Sequence, residues 1–136
     1  MKEQRILSID YGKKRIGIAL SDPLLTFAYS FKTLINDKTL WKNIAEIINE
    51  KKVVKVILGL PNEEKNKPLV TEISNFKKEM ERRFKLEVIT WDEEYTSVIA
   101  QERIIESVTK KKKRRDKGLV DSNSAAVILQ EYLDDL

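Results

Sequence analysis

Alternation with a period of two opens the chain. Ile6, Leu7 and Ile9 form an apolar run that ends at Asp10, and after Tyr11 and Gly12 the segment Arg15 to Ser21 sets Ile16, Ile18 and Leu20 against Gly17 and Ala19. Two short strands joined by a glycine turn make a hairpin, and the small residues on one face of its second strand leave room for a neighbour to pack closely. Phe27 to Leu34 continues as a third strand, which completes a three-stranded antiparallel meander.

The period then changes. Leu40, Trp41, Ile44, Ile47 and Ile48 recur at helical spacing. Val53 to Leu58 follows as a nearly continuous apolar run, the pattern of a parallel strand buried on both faces, and Gly59-Leu60-Pro61 ends it. Leu69, Ile73, Phe76, Met80 and Phe84 predict a second amphipathic helix, and Leu86 to Trp91 a fifth strand. A shorter helix carries Val98, Gln101, Ile105 and Val108. A last helix, from about Ser122 to Leu133, places Ala125, Ala126, Leu129, Tyr132 and Leu133 on one face. Trp41 and the apolar helix residues are assigned to the core.

These elements predict an α/β fold: one mixed five-stranded sheet, three antiparallel strands followed by two parallel ones, flanked by helices. No repeat or linker interrupts it, so residues 1–136 form a single domain. A chain of this length buries roughly two thirds of its unfolded surface in one core. No apolar segment approaches the roughly 18 residues of a membrane span, and MKEQR leads straight into a strand, so the expectation is a cytoplasmic protein with no membrane partner.

In open α/β sheets, ligands bind at the carboxyl ends of the strands. Asp10 ends the first strand, Gly59 to Asn62 the fourth, and Asp92-Glu93-Glu94 the fifth, so these carboxylates can meet. Asp121, opening the last helix, joins them if that helix packs beside the first strand. Each also has a plainer role: Asp10 as a turn residue bonding its own backbone, Glu93 as a solvated charge, Asp121 as an N-cap.

Composition narrows the chemistry. The chain has no cysteine and no histidine, which excludes thiolate nucleophiles, a Ser-His-Asp triad and the usual nitrogen or sulfur ligands of zinc. Carboxylates and hydroxyls remain, and oxygen ligands favour a hard cation, Mg2+ or Mn2+. The formal net charge is only +4, but Lys110, Lys111, Lys112, Lys113, Arg114 and Arg115 form one unbroken basic block just before Asp121. Such a block is either a solvated loop or a phosphate-contacting arm. Lys13 and Arg15, in the hairpin, are either exposed charges or phosphate contacts.

Four segments carry a resemblance that runs nearly end to end: ILSIDYGKKRIGIALSDP (Ile6 to Pro23), VILGLPN (Val56 to Asn62), WDEEYTS (Trp91 to Ser97) and KGLVDSNSAAVILQEYL (Lys117 to Leu133). In this order and spacing the chain resembles the YqgF (RuvX) family, whose fold is the RNase H-like one shared with RuvC-type resolvases. The resemblance implies catalytic, metal-binding acids at Asp10, Glu93 and Asp121. The expected mechanism is phosphodiester hydrolysis assisted by two divalent cations bridged by Asp10, with nucleic-acid contacts from Lys13, Arg15, Lys111, Lys112, Arg114 and Arg115. Family members are regarded as nucleases acting in 5′-end processing of pre-16S ribosomal RNA and were earlier labelled Holliday junction resolvases. Pre-rRNA, with ribosomal particles as a possible setting, is therefore the first expected partner, and branched or single-stranded DNA the second. A monomer or weak dimer is expected.

The chain departs from the family pattern where Glu94 and Tyr95 replace the usual Arg-Leu, which leaves open which of Asp92, Glu93 and Glu94 points inward. The Asp-Tyr-Gly hairpin also resembles the phosphate loop of actin-like ATPases, but those folds need two lobes and this chain has room for one. A catalytically silent nucleic-acid-binding module is the remaining alternative. It would gain affinity by losing acidic residues near phosphates, and this chain keeps them.

Overall fold

The computed structural model describes residues 4–61, 67–92 and 117–136, with side chains from 123 onward in the last segment. Its elements are β1 (Arg5–Asp10), β2 (Arg15–Ser21), β3 (Ala28–Ile35), α1 (Leu40–Glu50), β4 (Val53–Leu60), α2 (Lys67–Phe84), β5 (Glu87–Asp92) and α3 (Lys117–Asp134). They form one five-stranded sheet in the order β3-β2-β1-β4-β5. β1 pairs antiparallel with β2, and β2 with β3, while β1–β4 and β4–β5 are parallel. This is the mixed five-stranded sheet that the sequence pattern predicts, with β1 at its centre. The helix expected over Val98 to Val108 lies outside the described residues.

Two layers of apolar side chains follow from the alternation. Leu7, Ile9, Ile16, Ile18, Val56 and Leu58 point to one face and pack under α1 and α2 through Ile44, Ile47, Ile73, Phe76 and Met80. Ile6, Ala19 and Ile57 point to the other and are covered by Ala125, Ile128, Leu129 and Leu133 of α3. The small face of β2 is therefore what admits the last helix.

Several boundaries differ from the sequence reading, β5 among them, which runs one residue later than Leu86 to Trp91, over Glu87–Asp92. β4 runs on through Gly59 and Leu60, because β5 continues to pair with it there, Gly59 opposite Trp91 and Leu60 opposite Asp92. β3 is displaced by one residue and carries a bulge: Ile18 faces Lys32 and Ala19 faces Ser30, which leaves Phe31 as the extra residue. A bulge and an exposed lysine blunt an edge strand against pairing with other chains. The last helix starts at Lys117, so Asp121 lies inside its second turn and does not open it. An N-cap role for Asp121 is thereby excluded.

The β1–β2 turn is built around a close approach. A Cβ on Gly12 would run into the Arg15 carbonyl oxygen, and Asn36 Nδ2 donates to the Gly12 carbonyl at 2.8 Å, fastening the turn to the end of β3. Because the obstacle is backbone, Gly12→Ala is expected to destabilise the fold by about 1–3 kcal/mol. Chemical denaturation checks this, and an unchanged midpoint would refute it.

Candidate active site

Asp10 is the last residue of the central strand, opposite Gly17 of β2, and is half-buried. Ile6 belongs to the layer under α3 and the Ser8 hydroxyl donates to the Ala125 carbonyl of that helix, so alternation puts Asp10 on the α3 face. The direction of α3 fixes which of its residues share that end. Ala125 lies over Ser8, in the middle of β1. Five residues later Gln130 bonds the β2–β3 turn, accepting from the Ala28 amide at 2.9 Å and donating to the Thr26 carbonyl at 3.0 Å. That turn sits at the amino end of β1, so α3 runs antiparallel to β1 and its first turns approach Asp10. Asp121, one turn before Ala125, is thus at the same end of the same face as Asp10.

Of the acidic turn after β5, Asp92 alone lies within the described residues. Val88 of β5 is buried in the α1–α2 layer, whereas Ile89 and Trp91 pack in the α3 layer. Asp92 therefore points away from α3, on the face opposite Asp10. Trp91 is anchored to α3: its Nε1 donates to Glu131 Oε2 at 3.1 Å, and its ring meets Tyr132 edge-on at 5.7 Å. Tyr132 Oη in turn accepts from Lys55 Nζ at 3.0 Å, and this bond raises the Lys55 pKa above its ordinary value. Glu93 and Glu94 lie outside the described residues. Among the described residues no three acidic side chains gather closely enough to hold a metal ion.

The two hairpin cations separate. Arg15 begins β2 on the same face as Gly17, and so shares the face of Asp10. Lys13 turns to the other side, with Nζ 3.8 Å from Glu72 Oε1 of α2. Lys111, Lys112, Arg114 and Arg115 lie outside the described residues.

Sequence reasoning missed three features here. Ser8 interrupts the first apolar run at the period of the α3 face, a signal that only gains meaning once α3 is known to cover it. Tyr11 packs its ring on Phe76 at 5.1 Å, and Phe76 stacks on Trp41 at 5.0 Å. These three rings, with Glu72, Asn75 and Glu79, line a cleft of about 340 Å³ on the α1–α2 side of the sheet, away from the face of Asp10. The Asp22 carboxylate caps the β2–β3 turn, accepting from the Thr26 and Phe27 amides at 2.7 and 2.8 Å, and the Phe27 bond chiefly holds its pKa low.

The available donors fit a hard cation in chemical type: carboxylate oxygens on a strand end and a helix turn, with no nitrogen or sulfur ligand from His or Cys in the chain. No described helix is long and apolar enough to cross a membrane.

Comparison with known proteins bears on this geometry. A "Putative pre-16S rRNA nuclease" of Azobacteroides pseudotrichonymphae is 40% identical over 133 residues, covering 96% of both chains. Among solved structures, a Fowlpox virus resolvase in complex with its substrate Holliday junction DNA superposes with a TM-score of 0.58 at 17% identity, covering 96% of this chain and 97% of that one. T. thermophilus RuvC in complex with a Holliday junction substrate gives 0.56 at 12% identity, covering 92% and 91%. At these identities the structures establish the fold. A family model described as RuvX, Holliday junction resolvase, matches residues 4–135, and the chain belongs to the RuvX family.

Proposed function

We propose that this protein is a divalent-cation-dependent nuclease that hydrolyses phosphodiester bonds, acting in the cytoplasm on the 5′ end of pre-16S ribosomal RNA. The observation that supports it most is the convergence of Asp10 and the Asp121 turn of α3 at one end of one sheet face. Asp10, Glu93 and Asp121 are the proposed ligands and catalytic acids, with Asp10 central because its strand is central. These residues would hold a divalent cation, which when bound would activate a water and offset charge on the phosphate. Without it three carboxylates brought together would repel one another, so the proposed arrangement favours binding a cation. Arg15 holds a substrate phosphate beside Asp10. The basic block, with Lys111, Lys112, Arg114 and Arg115, supplies affinity along the backbone, and Lys13 adds to it only when released from Glu72.

Cutting one RNA end needs one active site, whereas resolving a junction needs two in a fixed two-fold arrangement. Exposed apolar side chains such as Leu24 and Phe27 stand at the β2–β3 turn, remote from Asp10, and no broad apolar face remains among the described residues. A monomer or weak dimer is the proposed state. Cleavage assays with magnesium or manganese on pre-16S RNA, single-stranded DNA and a four-way junction, run beside sedimentation, test the reading. Cleavage of the RNA is expected. A stable dimer that nicks the junction symmetrically and ignores RNA would instead establish a resolvase.

A further inference from the structure

We propose that Ser8 is a positioning residue whose hydrogen bond to Ala125 sets the register of α3 against β1, and with it the spacing between Asp10 and Asp121. The inference rests on the carboxylate site proposed above. Ser8 Oγ donates to the Ala125 carbonyl at 2.5 Å, and both residues are closed to solvent. That carbonyl already has a partner in the helical amide four residues on, so the hydroxyl is not needed to satisfy it. The need lies with the hydroxyl, since burial without a partner is penalised.

What surrounds the bond explains why it matters. Ile6, Ala19, Ile57, Ala125, Ile128 and Leu129 make an apolar contact without direction. Gln130, Glu131 and Tyr132 tie the far half of α3 to the sheet through hydrogen bonds, and the Ser8–Ala125 bond holds the half toward Asp121. A hydrogen bond tolerates only a few tenths of an ångström. From this pin the chain takes two steps toward the same end of the sheet. Ser8 to Asp10 is two strand residues, about 6.7 Å, and Ala125 to Asp121 is four helical residues, about 6 Å. The two acid-bearing positions therefore arrive at nearly equal height. A slip of α3 by one residue would shift Asp121 by about 1.5 Å and turn it by about 100°. Metal–ligand distances hold to within about 0.2 Å, so such a slip separates the pair.

Ser21→Ala is the control: Ser21 is equally buried and its Oγ accepts from the Ile6 amide at 2.9 Å, but it ties β2 to β1 and not to α3. Both variants, in the full chain, are compared with the unaltered protein by thermal midpoint without metal, by calorimetric titration with manganese alone, and by hydrogen exchange of α3 amides. Both should melt a few degrees lower, but only Ser8→Ala should bind manganese about tenfold more weakly or worse and exchange faster in the first turns of α3. Equal effects of the two variants, or unchanged manganese binding by Ser8→Ala, overturn the proposal. If the unaltered protein binds no manganese, the carboxylate reading falls and exchange alone decides: faster α3 exchange in Ser8→Ala than in Ser21→Ala upholds the register role, and equal exchange rejects it. Should Ser8→Ala not fold, Ser8→Cys keeps a weak donor of similar size and gives the same readouts.

Discussion

Asp10→Asn is expected to abolish divalent-dependent cleavage, a loss of at least about a hundredfold, while the protein stays folded. The change is nearly isosteric, so the centre of the sheet is undisturbed, but it removes one of the charges that hold the cation. Because the carboxylates repel without metal, the metal-free variant should melt no lower than the unaltered protein and can melt higher. Glu93→Gln should reduce cleavage in the same way. Asp92→Asn should leave it nearly intact, since Asp92 faces away from α3, and Glu94→Gln should cost much less than Glu93→Gln. Cleavage rates across a manganese series, paired with thermal melts, check all four. Retained cleavage by Asp10→Asn with unchanged metal dependence would remove Asp10 from the site, and a reversed order of Glu93 and Glu94 would move the third ligand by one residue.

Replacing Lys111, Lys112, Arg114 and Arg115 together by alanine should weaken binding to every nucleic acid alike. Each phosphate contact releases condensed counterions, so losing four should flatten the slope of log affinity against log salt by roughly 3 to 4 units on a duplex and nearer 3 on a single strand. Single-turnover cleavage at saturating substrate should change little, because the acidic site is untouched. A salt series of binding isotherms decides the matter: an unchanged slope would show these residues to be a solvated loop.

The fold was legible where burial imposes a period. β2 alternates large and small because Ile16, Ile18 and Leu20 fill the α1–α2 layer while α3 packs closely on Ala19, and β4 reads as a continuous apolar run because Val56, Ile57 and Leu58 are all enclosed. The mixed sheet followed from the change of period after the third strand, and the candidacy of Asp10 from its position at the tip of an apolar run. Less was legible where long-range partners decide. Gly59 looks like a stop, yet Trp91 beside it keeps the strand paired. Asp121 looks like a cap, yet the helix begins a turn earlier, at Lys117, despite Gly118. Lys13 reads as an exposed hairpin charge or a phosphate contact, and its nearness to Glu72, 59 positions away in sequence, is invisible there. No local pattern carries such pairings.

The bond between Ser8 and Ala125 spans 117 positions. Among the described residues the α3 face of the sheet is covered by the last helix alone, so during synthesis Ile6, Ala19 and Ile57 wait for it to bury them. At ribosomal speed that interval is on the order of ten seconds, far longer than a hairpin takes to form. The meander can therefore assemble early and stand half-clad, dependent on chaperones or on its own blunted edge to avoid sticking. A protein built this way closes the second face of its sheet in one late step, when its last helix docks.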